Sequence, residues 1–131
     1  MLAGTALLVS ACGSTAPAIV SSRPAAPVNL TVFIDNSRVS VSPSTVGAGA
    51  VEFIITNQAT QTESLSILRA GASAGQPLAN TGPINPQGTA QVTVNFSHQG
   101  AYSVATGSSI RAALIHVGHQ RASSDNQLLQ P

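Results

Sequence analysis

The chain has 131 residues, of which 43% are hydrophobic, 7% charged and 3% aromatic, and its formal net charge is +1. This length accommodates one domain with a single core. The five basic residues are all arginines, too few to make a basic surface for nucleic acid. A single cysteine cannot form an internal disulfide or a thiolate zinc site. Length, composition and charge therefore exclude nucleic-acid binding, disulfide scaffolds and multi-domain architectures.

The N-terminal segment is apolar and leads directly into that cysteine. Residues 1–11 (MLAGTALLVSA) are too short for a membrane-spanning helix, which needs about 20 apolar residues, and have the composition of a secretion signal. Residues 9–12 (Val-Ser-Ala-Cys) resemble the bacterial lipobox, whose cysteine is lipidated and becomes the mature N-terminus, although no basic residue precedes Arg23. We expect Cys12 to anchor the protein at the extracytoplasmic face of a bacterial cell membrane. The alternative is an unmodified cysteine in a frayed N-terminus.

Two further segments have the composition of linkers. Residues 12–27 are mainly Ser, Thr, Ala and Pro, which is typical of a semi-extended tether. Residues 122–131 form a C-terminal tail that is polar except for Leu128 and Leu129. The folded domain is therefore expected to cover residues 28–121.

From Val28 onwards, apolar and polar residues alternate in short runs. A period of two places the apolar residues of each run on one face of a half-buried strand. A turn is predicted at residues 35–36, and Pro43 ends the second run. Gly47-Ala48-Gly49 is expected to interrupt the strand structure before the third run. Seven such runs separated by Gly, Pro and Asn predict an antiparallel β-sandwich or barrel. The runs are 28–34, 39–42, 51–57, 64–67, 90–96, 102–104 and 113–117.

The stretch from Gly71 to Gly88 shows no alternation and is predicted to be the longest irregular segment. Loops of this length inside a compact domain are often functional or mobile. Leu78 and Ile84 are the residues expected to attach it to the core. That core should consist of Val, Ile, Leu and Ala, with Phe53, Phe96 and Tyr102 as its aromatic members.

Four segments carry motifs in a characteristic order: 47–57 (GAGAVEFIITN), 63–67 (ESLSI), 84–89 (INPQGT) and 100–104 (GAYSV). This order resembles that of the small secreted cupredoxins, the plastocyanin-like sandwiches. Their pattern has a Gly before a Val-x-Phe-x-Val-x-Asn strand, a His that opens the next strand, a Pro-Gly-x-Thr turn, and a Gly-x-Tyr strand that leads to a Cys. The resemblance spans about residues 28–118 and implies an all-β, antiparallel Greek-key β-sandwich of about seven strands.

The resemblance does not extend to the residues that would bind copper. Glu63 stands at the position of the first copper His, and Thr106 stands at the position of the Cys. No Met follows residue 1, so the weak axial ligand is missing as well. A blue-copper site needs two imidazoles and a thiolate. The resemblance therefore implies the fold without the electron transfer of the family, and we expect no cofactor. For Glu63 and Glu52 themselves, a loop or strand-edge charge is the expected role.

Three histidines remain as candidate ligands. His98 lies in a predicted turn and is expected to be solvated. His116 is out of phase with the apolar residues of the final run, so its side chain is expected to face away from the core. With His119 it forms a His-x-x-His pair that could hold Cu(II), Zn(II) or Ni(II), with Asp125 as a third ligand. This pair is the alternative metal site.

The hypotheses that follow from the sequence belong to three classes. We favour a non-catalytic, membrane-anchored module that binds an envelope protein or a small ligand through its loops. The alternative is a copper-binding or copper-handling periplasmic or cell-surface protein with a non-blue site at His116 and His119. An enzyme is not expected, because the sequence contains no assignable nucleophile with its base and no phosphate-binding glycine loop.

Overall fold

A computed structural model of the chain describes residues 25–71 and 75–122. The predicted signal segment 1–11, Cys12, residues 13–24 of the predicted tether and residues 123–131 of the predicted tail lie outside the described residues. Within these ranges the regular elements are eight strands. They are β1 (Val28–Ile34), β2 (Val39–Ser42), β3 (Thr45–Asn57), β4 (Glu63–Arg69), β5 (Ala79–Ile84), β6 (Thr89–Phe96), β7 (Gly100–Thr106) and β8 (Ala113–Gln120).

The strands form two groups that share β3. In the first group, β1 lies between β2 and β3, and β6 pairs with the other side of β3. In the second group, the order is β3-β8-β7-β4-β5. The buried side chains of both groups belong to one core cluster, as expected for a sandwich. The predicted all-β sandwich is therefore confirmed. The pairing is mixed, because two strand pairs, β1 with β3 and β3 with β8, are parallel, whereas the others are antiparallel.

β3 moves from one group to the other within its own length. Its first part, from Thr45 to Ala48, pairs with β8, whereas its second part, from Gly49 onwards, pairs with β1 and β6. The register against β8 shifts between Gly47 and Ala48. The predicted break at Gly47-Ala48-Gly49 is therefore wrong as a strand end, because the strand continues through it. The glycines mark instead the place where the strand changes partners.

The alternating apolar residues of the strands form the core, as the sequence predicts. From Leu30 in β1, from Val51 in β3 and up to Ile67 in β4, every second residue is buried and the residues between them are at least partly accessible. The aromatic members lie together, with the ring centroids of Phe53 and Phe96 6.2 Å apart and those of Phe96 and Tyr102 4.6 Å apart. Such tilted and edge-on arrangements are the favoured geometries of aromatic pairs.

The prediction of an irregular segment from Gly71 to Gly88 is wrong in part, because this stretch contains β5. The strand pairs with β4 and raises the number of strands from about seven to eight. Ile84 is buried, as expected of a residue that attaches the segment to the core, but the side chain of Leu78 is 50% exposed. No helix within the described ranges is long and apolar enough to cross a bilayer.

Candidate functional site

The fold places Glu63 and Thr106 at the same end of the sandwich, on neighbouring strands. Glu63 is the first residue of β4, Thr106 is the last residue of β7, and the register of the two strands pairs Leu65 with Thr106. Asn57, the last residue of β3, also lies at this end, which we call the Asn57 end. The two positions that the family resemblance singled out are therefore neighbours in the fold.

Glu63 is more enclosed than a loop or strand-edge charge would be. β4 is an inner strand between β5 and β7, and the Glu63 side chain opposite Ile84 is only 8% exposed. The expectation of an edge position for this residue is wrong. Thr106 is half-buried, and its hydroxyl lies 3.0 Å from the hydroxyl of Ser108. These side chains supply carboxylate and hydroxyl oxygens.

A buried amide organises the loops at this end. The Asn57 Nδ2 group donates to the carbonyl oxygens of Gln61 at 2.9 Å and Ile84 at 2.8 Å, while its Oδ1 accepts from the Ala59 N–H at 2.9 Å. The backbone N–H of Asn57 donates to Gly88 at 2.9 Å. A single side chain thereby holds the loop before β4 against the end of β5. The sequence marked Asn57 as a strand end and gave no signal of this network.

The donor set at the Asn57 end does not fit a blue-copper centre. Such a centre needs two imidazoles and a thiolate, whereas Glu63, Thr106 and Ser108 offer oxygens alone. The three histidines lie elsewhere: His116 is paired with Ala101, which is five residues along β7 from Thr106, or roughly 17 Å at about 3.4 Å per residue. Glu63 and Thr106 therefore lie at one end of the sandwich, and His116 lies away from it.

His116 and His119 are both exposed on β8, as the phase of the sequence indicated for His116. His116 lies between Thr45 on β3 and Ala101 on β7. The Nδ1 atom of His119 lies 3.0 Å from the side-chain amide nitrogen of Gln99. Across residues 25–71 and 75–122, no group of three or more His, Cys, Asp or Glu side chains is arranged to hold a metal ion. Asp125 lies outside those ranges, so the alternative metal site stays a prediction.

The opposite end of the sandwich, which we call the His98 end, contains a cavity that the sequence did not reveal. Its volume is about 190 Å³, and four separate segments contribute to it. The main side chains around it are Leu68, Arg69, Leu78, Phe96, His98 and Tyr102. His98 is exposed as predicted, but its placement beside buried aromatic rings follows from tertiary packing and has no local sequence signal.

The loop that carries His98 is fixed by two hydrogen bonds. The Tyr102 hydroxyl donates to the His98 carbonyl at 2.8 Å, and the Ser97 hydroxyl lies 2.8 Å from His98 Nδ1. Ser97 and His98 are both exposed, and no carboxylate within the described part of the chain hydrogen bonds to the imidazole. The pair therefore lacks the third group that orients the base in hydrolytic triads.

Comparison with known proteins shows similarity in structure but not in sequence. No protein-family model and no curated protein matches the chain. Among solved structures, reduced auracyanin from the photosynthetic bacterium Roseiflexus castenholzii is 13% identical, with a TM-score of 0.55, and the match covers 72% of this chain and 98% of that one.

Two further structures agree with this. Auracyanin A, a "blue" copper protein from Chloroflexus aurantiacus, is 14% identical with a TM-score of 0.58, over 71% of this chain and 100% of its own. Reduced rusticyanin is 14% identical with a TM-score of 0.52, over 70% and 79% of the two chains. Identities this low establish the fold alone. The described part of this chain is thus a cupredoxin-like β-sandwich domain.

Proposed function

We propose that the protein is a lipid-anchored, extracytoplasmic bacterial lipoprotein whose cupredoxin-like domain is a non-catalytic binding module without a blue-copper centre. The observation that carries this proposal is the donor set at the Asn57 end, where Glu63 and Thr106 provide oxygen ligands in place of an imidazole and a thiolate. The fold is retained while the ligand positions are replaced. The binding partner is an envelope protein or a small ligand.

The lack of a blue-copper centre is tested by adding Cu(II) to the full-length protein. We expect no intense copper–thiolate absorption and no stoichiometric binding in calorimetry at submicromolar affinity. Either result, if observed, would overturn the proposal. Stoichiometric binding without the absorption band would favour the copper-handling alternative, in which His116 and His119 are the ligands. In that case the variant His116→Ala/His119→Ala should lose the binding.

The lipid anchor is supported by residues 9–12, which resemble a lipobox, and by the tether composition that follows. In a bacterial host fed with labelled palmitate, the wild type should incorporate the label and fractionate with membranes. Cys12→Ala should lose both properties. Ser14→Ala is the matched control, because it changes a neighbouring small residue outside the lipobox and should remain labelled. Label retained in Cys12→Ala would contradict the anchor.

The proposal that the module is not an enzyme is supported by the environment of Ser97 and His98. An exposed serine and histidine without an orienting carboxylate lack the arrangement that activates a hydroxyl nucleophile. A fluorophosphonate probe, which reacts with activated serines, should therefore leave the protein unlabelled. Labelling that Ser97→Ala removes would contradict this part of the proposal.

A further inference from the structure

The cavity at the His98 end is built from side chains of both strand groups. Phe96 ends β6 in the first group, whereas Arg69 on β4 and Tyr102 on β7 come from the second and are direct partners across the two strands. Leu78 reaches the cavity from the segment before β5, where its backbone N–H donates to the Ile67 carbonyl at 2.8 Å. The cavity is therefore an opening between the two layers and not a surface depression within one loop.

Two aromatic residues close the bottom of the cavity. Phe96 and Tyr102 are buried, and their rings lie at an interplanar angle of 57°. Leu78 leaves half of its side chain exposed at the rim, an apolar surface that a bound ligand would cover. The volume of about 190 Å³ suits one aromatic ring, since an apolar cavity of about 150 Å³ binds benzene.

The rim of the cavity is positively charged. Three titratable side chains line the cavity, those of Arg69, His98 and Tyr102. Of these, Arg69 and His98 are exposed. The three carboxylates within the described ranges are Asp35, Glu52 and Glu63, and none of them lines the cavity. A guanidinium at an apolar opening matches a carboxylate, which it can bind through two parallel hydrogen bonds.

The part of the rim formed by His98 is held by hydrogen bonds within the protein. The Tyr102 hydroxyl fixes the His98 backbone, and Ser97 occupies the Nδ1 atom of the imidazole. Groups that are already ordered lose less conformational freedom on binding, which favours affinity.

We propose that this cavity binds a small aromatic monocarboxylate, with the ring against Leu78 above the buried Phe96–Tyr102 pair and the carboxylate on Arg69 beside His98. The inference rests on the proposed role of the domain as a binding module and names the ligand class of that module. It uses the His98 end, so it is independent of the oxygen donors at the Asn57 end.

The test is calorimetry and backbone NMR on the full-length protein with phenylacetate, and with phenylacetamide as an uncharged probe of the same shape. Phenylacetate should bind at least about tenfold more tightly than phenylacetamide. The largest changes in backbone chemical shift on binding should occur at Leu78, His98 and Tyr102. Arg69→Gln should abolish the difference between the two probes, whereas Arg38→Gln, which removes an exposed arginine far from the cavity, should preserve it.

Several results would overturn this assignment. They are equal affinity for both probes, no binding of phenylacetate at millimolar concentration, shifts that lie away from the cavity, or the same effect from Arg38→Gln as from Arg69→Gln. Leu78→Asp adds a second check at an exposed position that should tolerate the change, and it should weaken phenylacetate binding. If phenylacetate does not bind as expected and the copper titration is also negative, the ligand class is refuted and the proposed function stands. A positive copper titration would refute the proposed function irrespective of phenylacetate.

Discussion

The Asn57 side-chain amide donates a 2.8 Å hydrogen bond to the carbonyl of Ile84, and this contact joins the end of β3 to the end of β5. The two residues are 27 positions apart in the chain. Asn57 is fully buried and its side chain makes two further hydrogen bonds, to Gln61 and Ala59. The loops at the Asn57 end are therefore held together by the hydrogen bonds of one buried side chain.

Replacing Asn57 by Ala should destabilise the fold substantially. Three hydrogen bonds disappear, and the Ala59 N–H and the Ile84 carbonyl lose their side-chain partner in a buried setting. We expect a loss of about 2–5 kcal/mol in the free energy of unfolding, measured by urea denaturation. Asn95→Ala is the control, because Asn95 is exposed on β6, and it should change the free energy by less than about 0.5 kcal/mol. Similar losses in both variants would show that the network is not the cause.

The sequence predicted the strands whose apolar residues alternate, and it failed where another constraint applied. β5 (Ala79–Ile84) contains Gly82 and Pro83 and has few apolar residues, so no alternation reveals it. It is an edge strand, where a proline is tolerated because one side of the strand needs no donors. Similarly, the glycines near Gly49 were interpreted as a break. They accommodate instead a positive φ at Gly49 and the packing of a residue more than 70 positions away.

That residue is Arg121, which lies across Gly47 and Gly49. Its guanidinium donates to the Ala48 carbonyl at 3.4 Å and to the Ala50 carbonyl. A Cβ atom added to Gly49 would lie 2.9 Å from Arg121 Nη2, and the Gly49 φ of +129° is one that residues with side chains rarely adopt. The backbone conformation thus requires a glycine at this position, whereas the guanidinium stands at the end of a flexible side chain that can shift.

Gly49→Ala should therefore destabilise the domain by about 1–3 kcal/mol, measured by chemical denaturation. Gly107→Ala is the matched control, since no atom lies within 4 Å of its added Cβ, and we expect a change of less than about 0.5 kcal/mol. The double variant Gly49→Ala/Arg121→Ala distinguishes the two causes. If backbone strain dominates, removing the arginine will not recover the stability. Equal stability of Gly49→Ala and the wild type would refute the argument.

Asp35 should contribute to the loss of stability in acid. Its Oδ1 accepts from the Ser37 N–H at 2.7 Å, the Ser37 hydroxyl at 2.8 Å and the Arg38 N–H at 2.8 Å. The Ser37 hydrogen bonds, followed by that from Arg38, lower the pKa of Asp35 below its ordinary value of 3.8. A lowered pKa means that this stabilisation is complete above the pKa of the unfolded chain and disappears as the pH falls through that of the folded state.

The variant Asp35→Asn should consequently show a smaller decrease in melting temperature than the wild type between about pH 5 and about pH 2. The amide keeps an oxygen acceptor for the turn but cannot ionise. Asp35→Ala removes the acceptor as well, so it should melt at a lower temperature than Asp35→Asn across the whole range. Parallel melting curves for the wild type and Asp35→Asn against pH would contradict the assignment.

The site was only partly predictable for a physical reason. The order of the motifs identified Glu63 and Thr106, because both lie at the ends of strands whose apolar residues alternate clearly. The sequence did not indicate that Glu63 is buried, since burial here depends on β5, which has no alternation. The cavity at the His98 end was missed for a related reason. Its walls come from four segments, and neither Arg69 nor Leu78 differs locally from an ordinary surface residue.

Phe96 is the aromatic residue on which both the core and the cavity depend. It is 1% exposed and contacts Phe53 edge-on and Tyr102 at a tilt, so truncation leaves a void beside two rings. Phe96→Ala should reduce the free energy of unfolding by about 3–5 kcal/mol in urea denaturation. Phe33→Ala makes the same chemical change on β1 at a side chain that is 41% exposed, and it should cost about 1 kcal/mol or less. Equal losses in the two variants would mean that the Phe96 ring is not packed as described, and the aromatic wall assigned to the ligand cavity would be wrong as well.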